Sequence, residues 1–226
     1  QCERFVDYVA DRADEDFTTV AMRFVRHTFR DHQRILFDGN GYSEEWEAEA
    51  ARRGLPNLKT TPDALPAMVK PENIKFFEKY GVLSESEVHA RYVAKAEQYA
   101  KLLNIEANTM VYMTRHMYLP ALFDYSGDIA TSVATKAELG IDAKAEKKMV
   151  SVLTDGINAI SDAVDDLEAK NAQAKGLEDP QAADDCYRDV VIPAMTALRT
   201  AVDDMEKVCG HDYWPVPSYN KMLFYV

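Results

Sequence analysis

A chain of 226 residues with 47% apolar side chains is long enough for one domain with a substantial core, or for one domain and a short flanking piece. Its formal net charge of -12 opposes the phosphate backbone, so no nucleic-acid partner is expected. Cys2, Cys186 and Cys209 lack the spacing of a zinc site or a disulfide framework, and no apolar run reaches the length of a membrane span, so no membrane partner is expected either. No signal peptide opens the chain, Gln1 is not an initiator, and Phe5, Val6 and Val9 already stand at helical spacing. The expectation is a piece of a larger protein.

The first long helix is predicted from about Asp16 to Arg34, on the three-four spacing of Phe17, Val20, Ala21, Phe24 and Thr28. Asp38-Gly39 and Asn40-Gly41 then give two turn signals, with glycines free to take positive φ. Ser43 is a candidate cap for a helix that Glu44 and Glu45 favour and Gly54 stops. Thr61 with Pro62 reads as another start, shortened by Pro66. Pro71 opens one more helix, ended by Gly81. Residues 38–83 thus form short helices and turns that need a larger surface to lie on.

Ser84 and Glu87 make a capping box. Val88, Tyr92, Ala96, Tyr99, Leu103, Thr109 or Met110, and Met113 follow as an apolar stripe toward Pro120, which is expected to kink or end the helix, with a further helical piece to Gly140. One more helix carries Val150, Leu153, Ile157, Ile160, Val164 and Leu167 on one face, with a connection over 171–178. The last starts at Asp179-Pro180 and lines up Val190, Ala194, Ala197, Ala201, Met205 and Val208 before Gly210. The predicted fold is all-α, with residues 84–212 a bundle of long antiparallel helices, most simply four of them, preceded by short helices and loops. Residues 213–226 read as an extended aromatic and proline tail.

No constellation of catalytic residues emerges. None of the five histidines lies three residues after a glutamate, as a di-iron bundle requires, and His-Glu-x-x-His is absent. The Gly39 and Gly41 turn lacks the P-loop spacing and the dinucleotide-binding pattern. The pairs Asp165-Asp166, Asp184-Asp185 and Asp203-Asp204, and the run Arg26, Arg30 and Arg34, read as solvated helix faces. The site expectation is therefore structural: a turn built by Gly39, Asn40, Gly41 and Ser43, and docking through the large aromatics Trp46, Trp214 and Tyr219, with no catalytic, cofactor-binding or metal-ligating residue.

The segment Phe37-Asp38-Gly39-Asn40-Gly41-Tyr42-Ser43-Glu44-Glu45-Trp46, with Arg52-Arg53-Gly54-Leu55-Pro56-Asn57-Leu58 and Thr61-Pro62-Asp63-Ala64-Leu65-Pro66, resembles the C-terminal region of type III glutamine synthetase. So do Asn104-Ile105-Glu106-Ala107-Asn108-Thr109-Met110 and Tyr213-Trp214-Pro215-Val216-Pro217-Ser218-Tyr219. The resemblance implies a parent ligase that joins ammonia to glutamate using ATP, with Mg or Mn at its active sites, assembled in stacked hexameric rings. It also implies that residues 1–37 resemble the end of the catalytic domain, and that no catalytic residue carries over onto this chain. The partners implied are the preceding catalytic domain and neighbouring subunits of a homo-oligomer. The expected compartment is the cytoplasm, with an organelle left open because the parent's N-terminus would lie upstream. The alternative reading is a stand-alone helical interaction or scaffold module without enzyme activity.

Overall fold

The computed structural model describes residues 2–217 and 219–223, apart from the side chains at positions 219 and 220. Among the described residues every regular element is a helix, and the chain divides into two compact units, Gln1–Lys59 and Thr60–Val226.

In the first unit α1 (Cys2–Ala10) pairs with α2 (Phe17–Asp31). Asp16 caps α2 by accepting from the Thr19 N–H at 2.9 Å, a bond that holds its carboxyl below the usual range. Phe5 lies edge-on to Phe24 with ring centroids 5.2 Å apart, and Tyr8 meets the same ring at 5.4 Å. The α-helix stops before the predicted Arg34, and Gln33–Ile35 tighten into a 3-10 turn.

α3 (Glu44–Arg52) starts at Ser43, whose hydroxyl accepts from the Trp46 N–H at 3.3 Å. It ends at Gly54 with φ of 71°, where the Gly54 N–H donates to the Ala51 carbonyl and the Leu55 N–H to the Ala50 carbonyl. These paired bonds satisfy carbonyls that the helix itself leaves free, and the left-handed turn they need suits glycine. Gly81 and Gly140 end helices in the same way. Gly39 and Gly41 do not use the positive φ open to them.

The second unit opens with α4 (Thr61–Ala64), a 3-10 turn at Leu65–Val69 and α5 (Pro71–Lys79). Thr60, rather than Thr61, caps α4: its hydroxyl accepts from the Asp63 N–H at 3.3 Å, which leaves Thr61 as the first helical residue and Pro62 in the first turn. α6 (Glu85–Met113) begins with the full Ser84–Glu87 capping box.

Pro120 does not end this helix. Thr114–Tyr118 form a π-turn, in which the Leu119 N–H donates to the Thr114 carbonyl five residues back, and α7 (Leu119–Glu138) continues directly. α8 (Lys144–Lys175) follows. Then α9 (Pro180–Cys186), a second π-turn at Tyr187–Val191 and α10 (Ile192–Glu206) run on as one helix past Pro193. Each π-turn lies immediately before an aliphatic-proline pair. Its wider winding accommodates a proline that has no N–H to give and would crowd the preceding turn. The bundle therefore has three long rods rather than the four helices expected, because α6 and α7 do not separate.

α8 packs along both other rods. Leu153, Ile160, Val164 and Leu167 on α8, Leu122 on α7, and Tyr187, Val191 and Leu198 on the third rod are all essentially inaccessible. Burial of each such side chain contributes about 1.5–3 kcal/mol. Gly156 on α8 receives Met205 of α10 so closely that a methyl group there would overlap the sulfur. The predicted seam of the last rod is displaced: Val191 and Leu198 are buried where Val190 and Ala197 were expected, since the second π-turn adds a residue to the helical winding. The 171–178 connection is also shorter than predicted, because Asn171 and Ala174 are buried residues of α8.

Candidate functional site

The 38–46 turn is built by short-range bonds. Asn40 Oδ1 accepts from the Tyr42 N–H at 3.0 Å, and the Asn40 carbonyl accepts from the Ser43 hydroxyl at 3.0 Å and the Ser43 N–H at 3.2 Å. Gly39 packs against Phe37: a methyl group at that position would fall 2.6 Å from its ring. Phe37 in turn lies over Trp46, with centroids 4.3 Å apart. The Arg53 guanidinium sits 5.9 Å from the centre of the Trp46 ring and donates to the carbonyls of Arg34 and Leu36. Glu49 orients Arg53 at 2.5 Å. Its carboxyl is pulled down to about 2, first by the hydrogen bond from Arg52 and then by that from Arg53. Gly41 has open space around it, and Tyr42 is fully exposed. The turn residues and Trp46 are thus one local assembly.

α2 carries a second apolar row besides the one facing α1. Met22, Val25 and Phe29, at helical spacing, are 65%, 43% and 57% exposed. A helix apolar on two sides is the kind found between two bodies.

In the second unit Trp214 is buried. It stacks on Tyr118 at 5.1 Å with the rings 23° apart, and its indole N–H has no hydrogen-bond partner among the described residues. The preceding Tyr213 donates its hydroxyl to Asp128 and leans on Tyr125. Gly210 leaves the room that Tyr125 occupies. Tyr219–Leu223 form the short helix α11; the Tyr219 side chain lies outside the described residues. Trp214, Tyr118, α6 and α10 enclose an open groove of about 820 Å³. Its walls are apolar, with Leu103, Met110, Met113 and Met195, and its rim carries Glu106, Arg199, Asp203 and Glu206.

Asp184 corrects the reading of the acidic pairs as solvated faces. It is completely buried, neither carboxylate oxygen has a hydrogen-bond partner among the described residues, and its carboxyl is pushed up to about 6 by burial and then by the charge of Asp185. The nearby Arg188 is engaged with Asp63, Asp185 and Asp189. The sequence did hold a signal: Asp184 stands at the three-four spacing of Tyr187, Val191, Ala194 and Leu198, all buried.

The thiols of Cys186 and Cys209 are pushed up by burial, which makes poor nucleophiles of them. Among the described residues no three histidine, cysteine or carboxylate side chains converge as a metal-ligand set. The described side chains thus offer no ligand set of that kind for the divalent metal that the sequence resemblance implies for a parent enzyme.

Residues 21–137 match the family model for the glutamine synthetase C-terminal domain. The chain is 32% identical to a glutamine synthetase of Butyrivibrio fibrisolvens, over 88% of its own length and 29% of the relative's. It is 31% identical to the type-3 glutamine synthetase of Dictyostelium discoideum, over 91% of its length and 29% of that protein's. A glutamine synthetase of Bacteroides fragilis is 24% identical over 89% of the chain and 28% of the relative. The chain thus spans less than a third of each of these relatives.

Proposed function

The chain belongs to the glutamine synthetase C-terminal domain family and is related to the type-3 enzymes, and from that premise we propose that it is the structural and assembly region of an ATP-dependent glutamate–ammonia ligase. In this reading the ligase chemistry, with its ATP and divalent metal, resides in parts of the relatives that this chain does not match. Metal-assisted phosphoryl transfer needs converging carboxylates and cationic groups around the phosphates. The observation that carries the proposal is the exposed Met22, Val25 and Phe29 row on α2, an apolar face suited to cover by the rest of a larger enzyme. The 226-residue chain, incubated with glutamate, ammonia, ATP and magnesium, is expected to make no glutamine. Metal-dependent turnover that a substitution within this chain abolishes overturns the assignment.

The 38–46 and 213–219 segments are assigned to docking on the catalytic body or on a neighbouring subunit of a homo-oligomer, with Trp46, Trp214 and Tyr219 as anchors. Trp214 already packs on Tyr118, so its two roles need separating. Trp214→Ala is expected to cost about 3–5 kcal/mol in the isolated chain and, beyond that, to weaken subunit assembly of the full-length enzyme. Equal destabilisation in both, with the oligomer intact by sizing, removes Trp214 from the docking surface.

A further inference from the structure

The groove beside Trp214 has a chemistry that none of the docking segments above explains. Its α10 wall runs from Ile192 to Glu206, which at 1.5 Å per residue is about 21 Å. Its lining is rich in methionine, with Met110 and Met113 on α6, Met195 on α10 and Met222 on α11. Thioether side chains are unbranched and polarisable, and they adapt to apolar partners of varied shape.

The rim is charged with one dominant sign. Arg199 is held by Asp203 at 2.6 Å, so that pair is internally neutral. This leaves Glu106 on the α6 wall and Glu206 on the α10 wall. A cleft with apolar walls and three carboxylates against one cation, Arg199, which feels both Asp203 and Glu206, keeps a net negative rim and complements a rod that is apolar along one face and cationic along its edges. A strand would not present charges to both edges while burying one continuous row of side chains; an amphipathic helix does.

We infer that this groove docks a cationic amphipathic helix of about four turns from another polypeptide, with leucine-like side chains on the methionine lining and lysine or arginine reaching Glu106 and Glu206.

The test uses the full 226-residue chain carrying Trp46→Phe, so that Trp214 alone reports by fluorescence. The probe is a synthetic 14-residue helix-forming peptide with leucines at i, i+3, i+4 and i+7 and lysines elsewhere, about 21 Å long when helical. Saturable binding that shifts the indole emission, and that weakens as salt is raised, is expected. Glu106→Lys with Glu206→Lys is expected to lower affinity at least about tenfold. Asp155→Lys with Asp162→Lys changes net charge equally on exposed positions of α8 and is expected to leave affinity within about twofold. The inference is overturned if the peptide does not bind, if both charge-reversed proteins lose affinity equally, or if a leucine–glutamate peptide of the same pattern binds as tightly. A lysine-rich peptide with its leucines scrambled off one face must also bind at least about tenfold more weakly; equal binding shows mere charge attraction. Circular dichroism melts of each variant establish that a lost affinity is not a lost fold.

Discussion

At the scale of single residues, Asp184 carries the largest consequence for stability. A carboxyl that ionises near 4 in the unfolded chain and at about 6 in the fold holds its proton more tightly when folded. The folded state is therefore unpenalised at low pH, loses ground as pH rises through 4 to 6, and bears the full cost above that range. The cost corresponds to about 3 kcal/mol for a shift from 3.8 to about 6. The groups that act on Asp184 do not relieve it: Tyr92 and Tyr99 come from α6, Asp185 adds like charge, and the nearby Arg188 is already shared among Asp63, Asp185 and Asp189. Asp184→Asn, similar in shape and without charge, is expected to raise stability at pH 7.5 by up to about 3 kcal/mol. It should also flatten the pH dependence of urea unfolding between pH 4 and 7. Unfolding as pH-dependent in the variant as in the parent between pH 4 and 7 would overturn this account of Asp184.

Among the elements, glycine has two opposite effects. Gly140 sits at φ of 74° after α7, where a side chain crowds the backbone, whereas Gly127 lies within the same helix with nothing near the site of an added methyl group. Gly140→Ala should destabilise by about 1–2 kcal/mol, and Gly127→Ala should stabilise by about 1 kcal/mol. Thermal melts of the two proteins shifting in the same direction would contradict this account. The sequence made helix ends legible because their causes are local: Ser43, the Ser84 box, Asp179-Pro180 and the glycines at 54, 81 and 140 each act within one turn. The seam of α8 was legible through its unbroken spacing. What escaped was the behaviour of Pro120 and Pro193, since a proline signals a missing donor but not how the helix will rewind around it. The shift from Val190 to Val191 and the burial of Asp184 belong to that same rewound rod. The groove was equally hidden, because Met110, Met195 and Trp214 meet only through tertiary packing. The parts of the turn at Asn40 and Ser43, by contrast, are neighbours in the chain.

For the molecule as a whole, burial is divided unequally. Among the described residues Val20 and Ala50 are the buried apolar side chains of the first unit, while the second holds one continuous core that includes Leu122, Leu153, Leu167 and Leu198. A polypeptide of residues 60–226 should therefore keep its helix content and melt cooperatively, and one of residues 1–59 should not. Circular dichroism of the separate polypeptides checks both halves of that statement, and a 60–226 piece without a cooperative transition would refute it. The position of α8 between two rods has a kinetic consequence. Its buried face cannot be exposed by the departure of one neighbour alone, so local opening gives solvent little access to its amides. In deuterium exchange the amides around Leu153 to Leu167 should be the last of the chain to take up label, at a rate set by global unfolding, long after those of α1 and α2 have been replaced.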